Sequence, residues 1–166
     1  MRTYIRAYQP GGCYFFTVVT GKRLPHFIEI THVDRLRQAF RQVMTKHPFV
    51  IDAIVIMPDH IHSLWRLPEK DNDFSTRWRL IKHFVSRGWH GDEPFWQPRF
   101  WEHLIRDEED WRRHLDYIHY NPVKHGFALK PEEWEYGSYR DAKAHGWYPD
   151  GWGQSEPECC KNMEIE

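Results

Sequence analysis

The succession of apolar and polar positions along the chain predicts four strands. Residues 13–20 are rich in β-branched and aromatic side chains, which favours a strand. Residues 49–57 form an almost continuous apolar run, typical of a central strand. Residues 60–67 predict a second central strand, antiparallel to the first because only Pro58-Asp59 separates the two. A fourth strand is expected over residues 99–106.

Three further segments predict helices, namely residues 34–46, 75–89 and 107–120. Asp107 is expected to cap the third helix, whose first turn is acidic, as the helix dipole favours. Asn121-Pro122 is expected to end that helix, because proline disfavours the helical conformation in the residue before it. The order β-α-β-β-α-β-α predicts an α+β fold, a ferredoxin-like split β-α-β sandwich with helices packed against an antiparallel sheet of about four strands.

Composition limits the class of protein. Aromatic residues make up 16% of the 166 residues, so we expect a packed core rather than a disordered chain. One domain is expected over residues 1–145, followed by an acidic, poorly ordered tail over residues 146–166. No apolar run is long enough for a membrane helix, and neither the N-terminal residues nor the three cysteines indicate secretion. We therefore expect a cytoplasmic protein with no membrane partner.

His60 and His62 are the first candidates for chemistry. They lie two positions apart on a predicted strand, so both side chains point to the same face, where two imidazoles can bind a divalent metal. The chain has 12 histidines, however, and a His-x-His triplet arises easily by chance. From the triplet alone, two histidines on a solvated strand face are the better interpretation.

The third predicted helix carries a second pair of candidates. Its buried stripe is expected to consist of Trp111, Leu115 and Ile118. Tyr117 and Asn121 are four residues apart and lie side by side on one flank of that stripe, whereas Tyr120 is expected to face solvent. If the helix packs beside the histidine strand, Tyr117 and Asn121 reach the site, and Asn121 can supply a neutral oxygen ligand. Taken alone, Tyr117 is more simply a boundary aromatic and Asn121 a helix stop.

Together these residues suggest phosphoryl transfer to a tyrosine. A phenol is a poor nucleophile at neutral pH, but it becomes useful when a metal polarises the phosphorus that it attacks. Two imidazoles and an amide oxygen are neutral ligands, so the ion would keep its full charge toward the phosphate. The product would be a phosphotyrosine ester and a free hydroxyl. Since one phosphodiester replaces another, the reaction can run backward without ATP.

Three sequence segments carry a family resemblance. They are Met-Pro-Asp-His-Ile-His-Ser-Leu-Trp (57–65), Trp-Gln-Pro-Arg-Phe-Trp-Glu-His (96–103) and Tyr-Ile-His-Tyr-Asn-Pro-Val-Lys-His-Gly (117–126). With these, residues 10–143 resemble the single-tyrosine HUH transposases, specifically the REP-associated tyrosine transposases. The resemblance implies a split β-α-β nuclease domain that uses Mg²⁺ or Mn²⁺. It also implies cleavage and rejoining of single-stranded DNA beside a hairpin, the repetitive extragenic palindrome (REP), through a 5′-phosphotyrosine intermediate.

The resemblance assigns the nucleophile to Tyr117 and the metal contacts to His60, His62 and Asn121, and it reverses the simpler interpretations above. A monomer is expected rather than a homodimer, associated with the nucleoid. Two other functions stay open: a DNA-hairpin-binding protein that has lost catalysis, and a metal-dependent phosphohydrolase that uses an activated water. A covalent protein–DNA adduct distinguishes the transferase from both.

Basic and aromatic residues are expected to contact phosphates or stack on unpaired bases. These DNA-binding candidates are Arg2, Arg6, Trp65, Arg77, Arg79, Lys82, Arg87, Arg99, Lys124, Tyr139 and Arg140. The simpler alternatives are a solvated helix face for the basic residues and the core for most of the aromatic ones. Asp59 and His119 are expected to orient the site from behind, although Asp59 also suits a turn and His119 a packing role.

Overall fold

The computed structural model describes residues 6–163, and its centre is a four-stranded antiparallel sheet. The strands are β1 (Cys13–Val19), β2 (Val50–Ile56), β3 (His60–Arg66) and β4 (Trp101–Leu104), in the spatial order β2-β3-β1-β4. The first and third strands therefore lie at the centre, and the short β2–β3 turn makes the central hairpin. The predicted α+β fold and strand count are confirmed.

The helices cover both faces of the sheet. Helices α1 (Ile30–Lys46) and α2 (Phe74–Ser86) pack together on one face, and α3 (Glu108–Lys124) and α4 (Tyr139–Ala144) lie on the other. Four short 3-10 turns lie at Gly21–Arg23, His26–Ile28, Pro131–Glu133 and Glu158–Cys160. No helix within residues 6–163 is long and apolar enough to cross a membrane.

Strand alternation divides the core into two layers. Tyr14 and Phe16 of β1 face α1 and α2, whereas Phe15 faces α3. On β3, Trp65 stacks on Trp78 of α2 with ring centroids 4.5 Å apart. The same alternation directs the side chains of His60 and His62 to the face of the sheet that α3 covers.

Helix α3 continues one turn beyond its predicted end. Pro122 lies inside the helix, and the following turn closes through the His125 amide, which donates to the Asn121 carbonyl at 3.1 Å. Asn121 and Pro122 are both buried, so tertiary packing overrides the local preference against helix before proline. The extra turn keeps Asn121 on a rigid element and brings Lys124 back toward Tyr117.

The segment after residue 145 is packed, contrary to the expectation of a poorly ordered tail. Tyr148, Cys160 and Met163 are buried in the layer under α3 and α4. Trp152 lies against Tyr120, with ring centroids 6.4 Å apart, so Tyr120 is buried rather than facing solvent as expected. A poorly ordered tail was expected because the segment is acidic. The aromatic and sulfur-containing side chains between the acids pack it against the rest of the fold.

Candidate active site

The histidine pair lies at the start of β3 beneath α3. Both imidazoles are buried, and their ring centroids are 4.7 Å apart. The Nδ1 atom of His60 lies 2.7 Å from Asp59 Oδ1, and that of His62 lies 2.9 Å from Thr17 Oγ1. Hydrogen bonding at Nδ1 fixes each ring and leaves Nε2 as the nitrogen suited to bind a cation.

Asn121 completes a set of ligand atoms. Its Oδ1 atom lies 3.3 Å from His60 Nε2. Imidazole nitrogen and amide oxygen are both ligand types that suit Mn²⁺ or Mg²⁺, and both are neutral. The residues present therefore fit the metal that the sequence resemblance implies.

Asp59 stays ionised beneath the pair. The hydrogen bond with His60 holds the pKa of this carboxyl below its usual range, and the Arg23 guanidinium, 3.2 Å away, acts in the same direction against partial burial. The β2–β3 turn supplies Asp59, so the turn and the orientation of His60 are set by one residue. The role of Asp59 in orienting the site stays a prediction.

Tyr117 lies next to the histidine pair within the same chain. Its ring meets that of His62 edge-on, with centroids 5.3 Å apart, and the side chain is 1% exposed. Lys124 Nζ lies 3.4 Å from the phenol oxygen and donates at the same distance to the Met163 carbonyl. Tyr120 points away toward Trp152. The structure thus brings Tyr117, and not Tyr120, beside the candidate metal ligands.

Two residues at the site were not among the sequence-based candidates. The His125 ring lies 5.5 Å from that of His60 and borders a cleft of about 380 Å³ beside the pair. Its position four residues after Asn121 was the available signal. Thr17 lies opposite His62 in the sheet, but strand register, which places it there, cannot be derived from the sequence.

Several DNA-binding candidates have structural roles instead. Trp65 is fully buried against Trp78, and Tyr139 is buried against Trp152. Arg77 is 2% exposed, pairs with Asp71 at 2.8 Å and donates to three backbone carbonyls. These three side chains do not face DNA. The two aromatic rings are packed in the core, and the hydrogen bonds of the buried guanidinium are made within the protein.

His119 also differs from expectation. Its ring bridges Tyr148 Oη and Ser138 Oγ, each at 2.8 Å, and burial lowers the pKa of His119 to about 3. These contacts join α3 to α4 and to the tail, on a part of α3 that does not touch the histidine pair. His119 therefore stabilises the fold and does not orient the site.

The other basic candidates differ in their availability. Arg6 pairs with buried Glu102 at 2.6 Å, and Lys82 donates to the Gln97 carbonyl at 2.9 Å. Burial, with a contribution from Arg6, lowers the pKa of Lys82 to about 8. Exposed side chains remain predicted DNA contacts at Arg79, Arg87, Arg99 and Arg140. Arg2 lies outside the described residues.

A second cluster joins β4 to α3. His103, Asp110 and His114 have potential ligand atoms within 4.8 Å of one another. His103 Nε2 lies 2.8 Å from Asp110 Oδ2, and the Arg106 amide donates to the same oxygen at 3.0 Å. Burial opposes ionisation of Asp110, but these hydrogen bonds outweigh it and hold its pKa below the usual range. Hydrogen bonding accounts for this cluster without a metal.

Comparisons with known proteins agree with this fold. The family model described as "Transposase IS200 like" matches residues 11–120. A REP-associated tyrosine transposase of Escherichia coli (strain K12) is 43% identical over 152 residues, covering 92% of this chain and 91% of that protein. A solved structure of a REP-associated tyrosine transposase bound to a REP hairpin aligns with a TM-score of 0.84 at 39% identity, covering 99% of both chains.

A split β-α-β sheet that carries a buried His-x-His pair beside a helical tyrosine defines the single-tyrosine HUH class. The chain belongs to the IS200-like transposase family and, within it, to the REP-associated tyrosine transposases.

Proposed function

We propose that this protein cleaves and rejoins single-stranded DNA beside a REP hairpin, acting on the nucleoid through a 5′-phosphotyrosine at Tyr117. The observation that carries the proposal is the edge-on contact between the Tyr117 and His62 rings, with Asn121 Oδ1 3.3 Å from His60 on the same face. One chain supplies all four residues, which supports a monomer as the active form.

The residues divide the work as follows. Tyr117 Oη forms a bond to phosphorus while the bond from phosphorus to the 3′ oxygen of the leaving strand breaks. The phenol loses a proton and the 3′ oxygen gains one, so charge balances, and the reverse reaction rejoins the strands. Lys124 places a positive charge beside the oxygen on which negative charge develops. His60, His62 and Asn121 would hold Mg²⁺ or Mn²⁺, which would supply positive charge to polarise the phosphate.

Labelled hairpin DNA with single-stranded flanks tests the proposal. With Mn²⁺ or Mg²⁺, a 3′ label is expected in a covalent protein adduct on a denaturing gel, and a 5′ label in a shorter strand with a 3′ hydroxyl. Tyr117→Phe is expected to abolish the adduct, whereas Tyr120→Phe, at a tyrosine on the same helix, is expected to retain it. If the DNA is cleaved without an adduct, and the Tyr117→Phe variant still cleaves it, the protein is a phosphohydrolase. Binding without cleavage indicates a binding protein, and either result contradicts the proposal.

A further inference from the structure

Trp101 lies in the same cross-strand row as the metal ligand His62. In the sheet register His62 pairs with Thr17, and Thr17 pairs with Trp101. Residues directly opposite one another share a face, so all three side chains lie on the face covered by α3. His62 and Trp101 are two strand spacings apart, about 10 Å. Thr17, the residue between them in this row, has a short side chain.

Trp101 has an exposed surface. Trp101 and Trp147 are each 39% exposed, whereas Trp65, Trp78 and Trp96 are buried. Phe15 lies in the next row and meets the rings of His62, Tyr117 and Trp101 at centroid distances of 5.3, 6.1 and 5.9 Å. The buried Phe15 ring therefore contacts the exposed indole, the nucleophile Tyr117 and the metal ligand His62.

The second cluster holds this indole in place. The His103 ring is nearly parallel to that of Trp101, at 11° and a centroid distance of 6.0 Å. Asp110 anchors His103 at 2.8 Å and is itself buried at the start of α3. A fixed indole loses little conformational freedom when a flat ligand stacks on it, so the cluster prepares Trp101 for binding.

Arg99 lies two residues before Trp101 and is exposed, so it can contact a phosphate of a nucleic acid that stacks on the indole. Arg106 pairs with Asp110 at 3.5 Å, and the exposed acids Asp107, Glu108 and Glu109 follow it along the chain. Glu102, the acid next to Trp101, is buried on the opposite face and paired with Arg6. An unpaired nucleobase offers a flat aromatic surface with phosphates on both sides, and stacking accepts any base.

We propose that Trp101 is the stacking platform for the unpaired base next to the cleaved phosphate, and thereby positions that phosphate at Tyr117. This inference rests on the proposed function. Trp101 is a positioning residue, since it is two strands away from the reacting atoms. The proposal also assigns a role to His103 and Asp110, which orient the indole and do not bind the metal.

The test uses 2-aminopurine, a fluorescent base whose emission falls when it stacks on an aromatic ring. It is placed on the 5′ side of the cleaved phosphate, on the 3′ side, or at a distant flank position, in DNA bound to a Tyr117→Phe background. We expect quenching at one of the two adjacent positions only. Adding Trp101→Ala is expected to remove it and Trp101→Phe to restore most of it. The control is Trp147→Ala, because Trp147 is equally exposed at 39% but packs on Trp111 and His145.

Rates with otherwise wild-type protein give the second measurement. Trp101→Ala is expected to slow adduct formation at saturating protein roughly 10-fold. This factor corresponds to the lower half of the free-energy range for stacking of a base on an aromatic ring. Trp101→Phe is expected to recover most of the rate, and Trp147→Ala to leave it unchanged. The inference is overturned if quenching at an adjacent position persists in Trp101→Ala, or if neither adjacent position is quenched. In both cases, adduct formation by the wild-type protein still supports the proposed function. If the wild-type protein forms no adduct, the proposed function fails first.

Discussion

Burial of His119 in its neutral form predicts that the free energy of unfolding of this protein falls at acidic pH. This side chain is buried between α3, α4 and the tail, and its pKa is lowered from 6.5 to about 3 because burial opposes the charged form, with Arg112 adding to the effect. In the unfolded chain the imidazole regains its ordinary pKa and takes up a proton near pH 6.5. The contribution of His119 to stability is therefore complete above that pH and is lost as pH falls toward the folded-state value.

The magnitude follows from the two pKa values. Between about pH 7.5 and about pH 5, protonation of His119 in the unfolded chain alone lowers the free energy of unfolding by about 2 kcal/mol. Burial raises the pKa of Asp116, which is hydrogen-bonded to Tyr148 in the same network, so protonation of this carboxyl acts in the opposite direction. His119→Gln keeps Asp116 and Tyr148, so comparing the variant with the wild type cancels their contributions.

Urea unfolding at both pH values measures the effect. The wild-type protein is expected to lose about 2 kcal/mol more than His119→Gln over this interval. Because the variant also loses packing at neutral pH, imidazole proton resonances of the wild-type protein give an independent check. One histidine is expected not to titrate above about pH 4, and His119→Gln removes its signal. Equal pH dependence of the two proteins, together with normal titration of His119, refutes this reasoning.

Three further predictions follow from the site and from the corrected residues. Asp59→Asn replaces the charged acceptor that orients His60 with a weaker neutral amide, so calorimetric Mn²⁺ affinity is expected to fall roughly 10- to 100-fold; unchanged affinity contradicts the role of Asp59. Arg77→Met leaves Asp71 and the carbonyls without their donor, so the free energy of unfolding in urea is expected to fall by about 2–3 kcal/mol, without any change in the salt dependence of DNA binding. Arg99→Gln is expected to reduce the slope of log affinity against log salt by roughly one, and an unchanged slope removes Arg99 from the DNA contacts.

Features that depend on local pattern were predictable from the sequence. The central hairpin followed from two apolar runs and a Pro58-Asp59 turn, and alternation along a strand placed His60 and His62 on one face. Helical spacing placed Tyr117 and Asn121 on one flank of α3, as the structure has them. In each case the relevant residues are neighbours along a single element or adjacent elements.

Features that depend on contacts between distant segments were not predictable. Whether an arginine or tryptophan is exposed depends on what packs over it, so Arg77 and Trp65 could not be separated from exposed residues of the same type. The tail buries Tyr120 by packing from more than 25 residues away. The cross-strand row from His62 to Trp101 requires the register of three strands, which local pattern does not determine.

Mapping the covalent bond tests the central claim most directly. The adduct formed by wild-type protein with hairpin DNA and Mn²⁺ would be digested with nuclease and protease, and the nucleotide-bearing peptide sequenced by mass spectrometry. The account predicts one modified residue, Tyr117, joined to a 5′ phosphate. Modification of Tyr120 or any other residue, or cleaved DNA with no modified peptide, would contradict it.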